Sequence, residues 1–319
     1  MKNGKHILVT GGAGFIGAHL VERLLKDGKS VVVIDDLSTG SRDNLRAVAQ
    51  QKNFRFIQTK ISAFAELPEL AANAEFIFHL AATVGVELVV KSALHVLEAS
   101  FNETQILLRA AAKNSTPILF TSTSEVYGKS AKPEFSEDDD LLIGPPGQSR
   151  WSYACSKLTD EFLALAYARE RNLPVTIARL FNTVGPRQTG RYGMVLPRFI
   201  SAAKTNEPLK VFGDGAQSRC FCLVHDVVEA LVRLQNSDAA RGEIFNIGGT
   251  EEISILELAK LVVATLGSKS AIELIPYDQA YAPGFDDMRR RKPLVEKLER
   301  CVNFKPQTPL REIIQLTAG

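Results

Sequence analysis

Apolar residues along this chain fall into two alternating patterns. His6-Ile7-Leu8-Val9-Thr10 is a short apolar run that ends in a glycine cluster, Gly11-Gly12-Ala13-Gly14-Phe15-Ile16-Gly17. Ile16, Leu20 and Leu24 then recur on one helical face, and Gly28 supplies a helix stop. Residues 30–36 (SVVVIDD) form a continuous β-branched run, the pattern of a strand buried on both faces of a parallel sheet. Similar runs at 54–59, 75–82, 117–123 and 175–181 predict further strands, and longer periodic stretches predict helices over about 86–114 and 151–172. Alternation of this kind predicts an α/β fold, a doubly wound parallel sheet with helices on both faces.

From Gly185 the texture changes. Pro186, Pro197, Pro208 and glycines at 190, 193, 213 and 215 interrupt short elements. Helices are predicted over 225–236 and 255–266, a late strand over 243–247, and the tail after Pro276 is rich in proline and arginine. The expected organisation is a Rossmann-type domain over 1–183 plus about 222–247, with a smaller discontinuous C-terminal lobe from about 184–221 and 248–319.

Composition narrows the classes. Hydrophobic residues at 45% and charged residues at 23% exclude a disordered or fibrous chain. Lys+Arg 38 against Asp+Glu 36 leaves a net charge of +2, no bulk field for a polyanion, so no nucleic-acid partner is expected. Apolar runs are strand-sized, below the ~20 residues of a membrane span, so no membrane partner is expected. The first residues lead into a strand without a signal-peptide core, which predicts a cytoplasmic protein. Cys155, Cys220, Cys222 and Cys301 form no CxxC pair, and the five histidines form no HxxxH pair; neither a disulfide framework nor a metal site is expected.

Two constellations carry chemistry. Gly11, Gly14 and Gly17 stand between a strand and a helix in a GxxGxxG arrangement, which allows a tight turn, close backbone approach to a pyrophosphate and a helix N-terminus aimed at it. Such a triplet also occurs in plain strand–helix turns. Asp35 at the end of the next strand strengthens the nucleotide reading, since a carboxylate there accepts from a ribose diol and repels a 2′-phosphate, favouring NAD over NADP. Asp36 competes for that role. In the second constellation, Tyr153 and Lys157 lie one helical turn apart in YACSK. A phenol is a poor base at neutral pH, and a nearby ammonium plus an oxidised nicotinamide would stabilise its phenolate. YxxxK pairs are also common on helix surfaces. Upstream, Phe120-Thr121-Ser122-Thr123-Ser124-Glu125-Val126-Tyr127-Gly128 places hydroxyls at the C-terminal end of a predicted parallel strand, where α/β sheets hold ligands.

The glycine motif, His79-Leu80-Ala81-Ala82, the TSTSEVYG stretch, YACSK and Arg179-Leu180-Phe181-Asn182-Thr183-Val184-Gly185-Pro186-Arg187 occur in one order over essentially the whole chain. In this the sequence resembles the extended short-chain dehydrogenase/reductase family, the NAD-dependent nucleotide-sugar epimerases, dehydratases and decarboxylases. The resemblance implies a tightly held NAD that oxidises the sugar at C4 and later returns the hydride. It places Gly11, Gly14, Phe15, Ile16, Gly17, Asp35, Leu80, Ala81, Tyr153 and Lys157 at the cofactor. Tyr153 would take the 4-hydroxyl proton, Lys157 would tune it, and Thr123 would bond the 4-oxygen. Asn182, Arg187, Arg219 and Arg291 would contact a UDP-sugar substrate held by the smaller lobe. One departure is Lys60-Ile61-Ser62, where the family often has an aspartate near the adenine.

Within the family the resemblance runs closest to UDP-glucuronate decarboxylases. The 4,6-dehydratases carry Asp-Glu after the threonine, whereas this chain has Ser124-Glu125, which removes the acid that would protonate a departing 6-hydroxyl. Arg150-Trp151 and the tail Gly284-Phe285-Asp286-Asp287-Met288-Arg289-Arg290-Arg291-Lys292-Pro293 resemble the decarboxylase domain of the bacterial aminoarabinose pathway, with Arg291 at its active-site arginine. Arg291 would orient a carboxylate, and Glu125 or Ser124 would handle the proton returned to C5. The alternative is a UDP-sugar 4-epimerase, in which Arg291 binds pyrophosphate and Glu125 is a polar wall. The loop Thr83-Val84-Gly85-Val86-Glu87 has the more epimerase-like character. A non-catalytic NAD sensor would lack Tyr153 or Lys157, and a simple carbonyl reductase would not need Asn182, Arg219 and the arginine tail. The family also pairs the two long helices with their copies, which predicts a homodimer; Leu163, Leu165 and Tyr167 carry more apolar surface than one sheet-facing stripe requires.

Overall fold

A computed structural model describes residues 5–82, 93–189, 194–276 and 288–319. The loop 83–87, the first residues of the helix predicted from 86, Gly190, Gly193 and residues 284–287 of the arginine tail lie outside the described residues. In chain order the elements are β1 (His6–Thr10), α1 (Phe15–Lys26), β2 (Val31–Asp35), β3 (Phe54–Gln58), α2 (Leu67–Ala72), β4 (Ala74–His79), α3 (Ala93–Ala112), β5 (Ile118–Thr123), α4 (Trp151–Arg171) and β6 (Val175–Leu180). They continue as β7 (Thr183–Val184), α5 (Val195–Thr205), β8 (Leu209–Phe212), β9 (Ser218–Cys220), β10 (Cys222–Leu223), α6 (Val224–Gln235) and β11 (Ile244–Ile247). The last are β12 (Glu252–Ser254), α7 (Ile255–Leu266), β13 (Ile272–Ile275), α8 (Glu296–Val302) and α9 (Leu310–Ala318).

The centre is a seven-stranded parallel sheet in the order β11-β6-β5-β4-β1-β2-β3. This is the Rossmann arrangement that the alternating pattern predicts. Its pleat divides the apolar residues between two cores. Ile7, Val9, Val31 and Val33 pack with Leu20 and Leu24 of α1 and Val227 and Leu231 of α6. Leu8, Val32, Ile34 and Ile77 pack on the other face with Leu107 and Leu108 of α3 and Ala164 of α4. Successive residues of one strand thus feed opposite cores, the reason these strands read as unbroken apolar runs. A third core joins Val184, Leu196, Phe199, Leu209, Val211, Ile255, Leu258 and Ile313, all from segments that follow β6.

The chain leaves β1 towards β2 on one side, and β4 flanks β1 on the other. A crevice therefore opens at the C-terminal ends of β1 and β4, where open α/β sheets hold ligands. α4 is held against the sheet by a buried ion pair. Arg179 of β6 donates to Glu161 of α4 from Nε at 3.1 Å and Nη2 at 2.8 Å, and from Nη1 to the Tyr127 hydroxyl at 3.0 Å. Ser122 also donates to Glu161, and Tyr127 donates to Asn246 Oδ1 at 2.7 Å. Losing one partner of such a pair leaves a buried charge and costs about 3–5 kcal/mol. The pair fixes the helix that carries Tyr153 and Lys157 relative to β5.

Candidate active site

The glycine turn is shaped by close packing. Gly11 has φ +73°, and a Cβ there would lie 2.6 Å from the Ala81 nitrogen; a Cβ on Gly17 would lie 2.1 Å from the Gly11 carbonyl oxygen. Gly14, at the N-cap of α1, is different: its missing Cβ faces only that carbonyl at 3.2 Å, which leaves its outer side open. The first turn of α1 has no acidic residue and no side-chain cap, so its N–H groups meet no competing charge. Asp35 ends β2 beside this turn. Oδ2 accepts from Ala13 N at 2.9 Å and Oδ1 from Leu37 N at 2.8 Å, so each oxygen keeps a lone pair for a further donor. Burial pushes the Asp35 carboxyl up, and those two backbone bonds pull it back. Asp36 spends one carboxylate oxygen on Ser38 N at 2.9 Å in the following loop.

At the end of β5, Thr123 caps the turn 124–127 by accepting from Glu125 N at 3.3 Å, and its side chain is hydrogen-bonded to Tyr153. The Tyr153 phenol is pushed up, by burial first and then by the negative charge of Glu125, while the Thr123 bond opposes both. It is thus protonated in this state and needs added positive charge to ionise. Lys157 is buried, with its Nζ donating to the Thr121 carbonyl at 3.0 Å and lying 4.4 Å from the Phe120 ring centroid. Burial lowers its pKa, and the charges of Asp160 and Glu161 oppose that.

Glu125 is the meeting point of three arginines. Arg291 Nη1 donates to Oε1 at 2.6 Å, Arg150 Nη2 lies 3.4 Å from Oε2, and the Arg219 charge reaches the same carboxylate. Burial alone would raise Glu125; the guanidiniums outweigh it and hold the carboxyl below its ordinary range. Glu125 is therefore ionised at neutral pH. Ser124, almost fully buried, accepts from Arg291 Nη1 at 3.4 Å and keeps its hydroxyl proton. Arg291 itself is buried, and its Nε meets no hydrogen-bond partner among the described residues. Arg150 also stacks over Trp151, 5.0 Å from the ring centroid.

Two expected substrate contacts are otherwise engaged. Asn182 donates to the Cys220 carbonyl at 2.8 Å, tying β6 to β9. Arg187, at φ +67°, spends its guanidinium on Glu22 of α1 at 2.7 and 2.9 Å, on His19 Nδ1 at 2.9 Å and on the Asn44 carbonyl at 3.0 Å. In this state Arg187 clamps the segment after β7 to α1. At Lys60-Ile61-Ser62, Ser62 N donates to Glu103 of α3 at 2.9 Å. Asp160 was not among the expected site residues, although an acid three residues after Lys157 on a helix was a visible signal.

Comparison with known proteins gives the family. The family model described as "NAD dependent epimerase/dehydratase family" matches residues 7–248. The chain belongs to this family. It is 42% identical over 316 residues to UDP-N-acetyl-alpha-D-glucosaminuronate decarboxylase of Bacillus cytotoxicus, covering 98% of this chain and 97% of that one. It is 34% identical over 315 residues to UDP-glucuronic acid decarboxylase 2 of Arabidopsis thaliana, covering 99% of this chain and 68% of that protein. Among solved structures, UDP-glucuronic acid 4-epimerase from Bacillus cereus, in complex with UDP-glucuronic acid and NAD, superposes with a TM-score of 0.87 at 28% identity, covering 98% of each chain.

As in other members of the epimerase/dehydratase family, the cofactor is NAD, and the residues present suit it. The open side of Gly14 and the uncapped start of α1 suit a diphosphate, and the remaining lone pairs of Asp35 suit a ribose diol. Bound NAD supplies the acceptor for a hydride from a sugar carbon and, when oxidised, a positive charge near the phenol. The chain is an enzyme of nucleotide-sugar chemistry, with Thr123, Tyr153 and Lys157 at one end of β5 and the Glu125 arginine cluster beside them.

Proposed function

We propose that the enzyme decarboxylates a UDP-hexuronate, either UDP-glucuronate or its 2-acetamido counterpart, through transient oxidation at C4. The observation that carries this reading is Arg291, buried against Ser124 and Glu125 with one guanidinium nitrogen unpartnered among the described residues, next to Thr123 and Tyr153. A guanidinium so placed can take a carboxylate through parallel N–H bonds. Tyr153, bonded to Thr123 and aided by the Lys157 ammonium, accepts the 4-hydroxyl proton. The C4 ketone makes the C6 carboxylate a β-keto acid. The C5–C6 bond breaks, carbon dioxide leaves, and its electron pair enters an enolate conjugated with C4. The Ser124 hydroxyl, beside the Arg291 charge, gives a proton to C5 and regains one from solvent water. Tyr153 gives its proton back when C4 is reduced. Both curated relatives named above are decarboxylases, which supports the same reading.

A 4-epimerase is the second reading, favoured by the likeness to the Bacillus cereus UDP-glucuronic acid 4-epimerase. Incubation with UDP-glucuronate, UDP-N-acetylglucosaminuronate and UDP-glucose, with products read by mass, separates the two. The expected result is loss of one carbon dioxide from a uronate. Unchanged mass with a new C4 isomer would establish the epimerase, and loss of water the dehydratase.

The assignment of 1–183 plus about 222–247 to the cofactor and of about 184–221 and 248–319 to the sugar nucleotide belongs to the same reading. The separate third core supports it. A homodimer through α3 and α4 belongs to the same reading. Leu94, Leu97 and Phe101 of α3 and Phe162 of α4 are exposed, at 69%, 39%, 40% and 64% of their full surface, an apolar area that a second copy would cover. Light scattering at micromolar concentration should give twice the chain mass; a monomer would remove the dimer. Among the described residues no helix is long and apolar enough to cross a membrane.

A further inference from the structure

Four cations stand in a row at 289–292, Arg289-Arg290-Arg291-Lys292, and Arg291 is the one that pairs with Glu125. Which of them enters the site is a matter of register. The Arg289 carbonyl accepts from Ser218 N at 2.9 Å, and the Lys292 carbonyl accepts from Phe135 N at 2.8 Å. Arg290 pairs with Glu252 of β12, and Lys292 pairs with Glu134. Partly exposed ion pairs of this kind are weak and do not choose among similar cations.

Met288 is the residue that differs. It is the one apolar residue between Phe285 and Pro293, flanked in sequence by Asp287 and Arg289. It is buried with Trp151 and Ala154 of α4 in a small core of their own, and Ile143 packs against that core. Sliding the segment by one residue would put Asp287 or Arg289 there, a charge among apolar groups. The seat of Met288 on α4 therefore fixes which cation faces Glu125.

Trp151 is enclosed on its other sides. Its Nε1 donates to Gln148 Oε1 at 3.1 Å, and a Cβ on Gly144 would lie 2.1 Å from that nitrogen, so loop backbone closes the indole edge. The Arg150 guanidinium lies 5.0 Å from the ring centroid and the Lys129 ammonium 5.9 Å. The ring quadrupole attracts a cation placed over its face. Arg150 in turn directs Nη2 at Glu125 Oε2, 3.4 Å away. One indole thus backs two arginines from distant segments: Arg150, just before α4, and Arg291, three residues after Met288.

We propose that Trp151 is a positioning residue for the arginine cluster: through Met288 it sets the register of the 288–292 segment, its face is the platform for Arg150, and so it holds both guanidiniums at Glu125. Its effect on turnover rests on the part read above for Arg291; its effect on the cluster does not.

The test reads the Glu125 carboxyl by side-chain ¹³C NMR titration in substrate-free wild type, Trp151→Leu and Trp151→Phe, with Glu125→Gln to assign the signal. Leucine keeps apolar volume and offers no ring face. As the cluster loosens, Glu125 loses guanidinium charge, and its midpoint should rise by about one unit. Phenylalanine keeps a ring for Met288 and Arg150 and should restore most of the wild-type midpoint. With a UDP-hexuronate, Trp151→Leu should form reduced nicotinamide within about threefold of the wild-type rate and release carbon dioxide about tenfold more slowly. An unmoved Glu125 midpoint in Trp151→Leu overturns the proposal. So does equal slowing of oxidation and release, which would mark damage to the start of α4 instead. Should Trp151→Leu fail to fold, Met288→Ser opens the same contact from the other side. Trp151 is the single tryptophan of the chain, so its emission should shift to the red as water reaches the indole, and the Glu125 midpoint should again rise. Unchanged emission, or a red shift with Glu125 unmoved, overturns the proposal. The midpoint is read without substrate, so failure of the decarboxylase reading leaves it decidable.

Discussion

Tyr153→Phe abolishes the oxidation itself: on substrate addition the reduced-nicotinamide absorbance rises about 10²–10⁴-fold more slowly than in wild type. The reason lies in the state of the phenol. Burial and the Glu125 charge push Tyr153 up, and only the Thr123 bond pulls against them. In the proposed mechanism it becomes a base once positive charge gathers around it, from Lys157 and the oxidised cofactor. Phenylalanine keeps the packing and removes the proton acceptor, so binding of the sugar nucleotide should change little while the first chemical step stops. Stopped-flow absorbance with a UDP-hexuronate measures this directly. A rate within a factor of about three of wild type would show that another group takes the 4-hydroxyl proton.

Arg291→Ala separates decarboxylation from epimerisation. In the decarboxylase, removing a preorganised guanidinium from the departing carboxylate should cost about 10²–10³-fold in kcat. C4 oxidation still proceeds, so the reduced-nicotinamide absorbance should rise and persist while carbon dioxide release lags. Glu125 should respond in a definite direction. Its carboxyl lies below the ordinary range because three guanidiniums outweigh burial. Without Arg291 the balance moves towards burial, the carboxyl rises, and the protonated fraction at a given pH increases. Arg291→Lys should recover only part of the rate, since a single ammonium cannot reproduce the planar fork. In a 4-epimerase the same Arg291→Ala change would raise KM through lost phosphate or carboxylate binding and leave kcat nearly intact. Retention of kcat therefore removes the decarboxylase reading. Glu125→Gln is a companion variant: it should slow carbon dioxide release by loosening Arg291 in a decarboxylase, and leave an epimerase near its normal turnover.

The sheet was legible in the chain because each central strand is buried on both faces. That forces unbroken β-branched runs, and Ile7 and Val9 feed one core while Leu8 feeds the other. The glycine turn was legible for a similar reason: Gly11 and Gly17 stand where a Cβ would collide with backbone. Tyr153 and Lys157 were legible because a helix turn fixes their spacing locally. Of the later elements, the helix over 255–266 was legible and the short strands after β7 were not. β8 pairs with β13 and β9 with β12 across long stretches of chain, and strands of three or four residues carry too little periodicity to stand out.

What the tertiary structure alone decided is which charges meet. Spacing placed Glu125 beside Ser124 but could not show that Arg150, Arg219 and Arg291 converge on it, and so left its protonation open. Spacing placed Arg187 after Asn182 but could not show that its guanidinium is taken by Glu22, on a helix near the other end of the chain. Nor could it show that Glu161 is matched by Arg179. Hydrophobic burial repeats with the local period of a helix or strand and is therefore written along the sequence. Charge pairing depends on distances through the fold, between residues that the sequence keeps far apart.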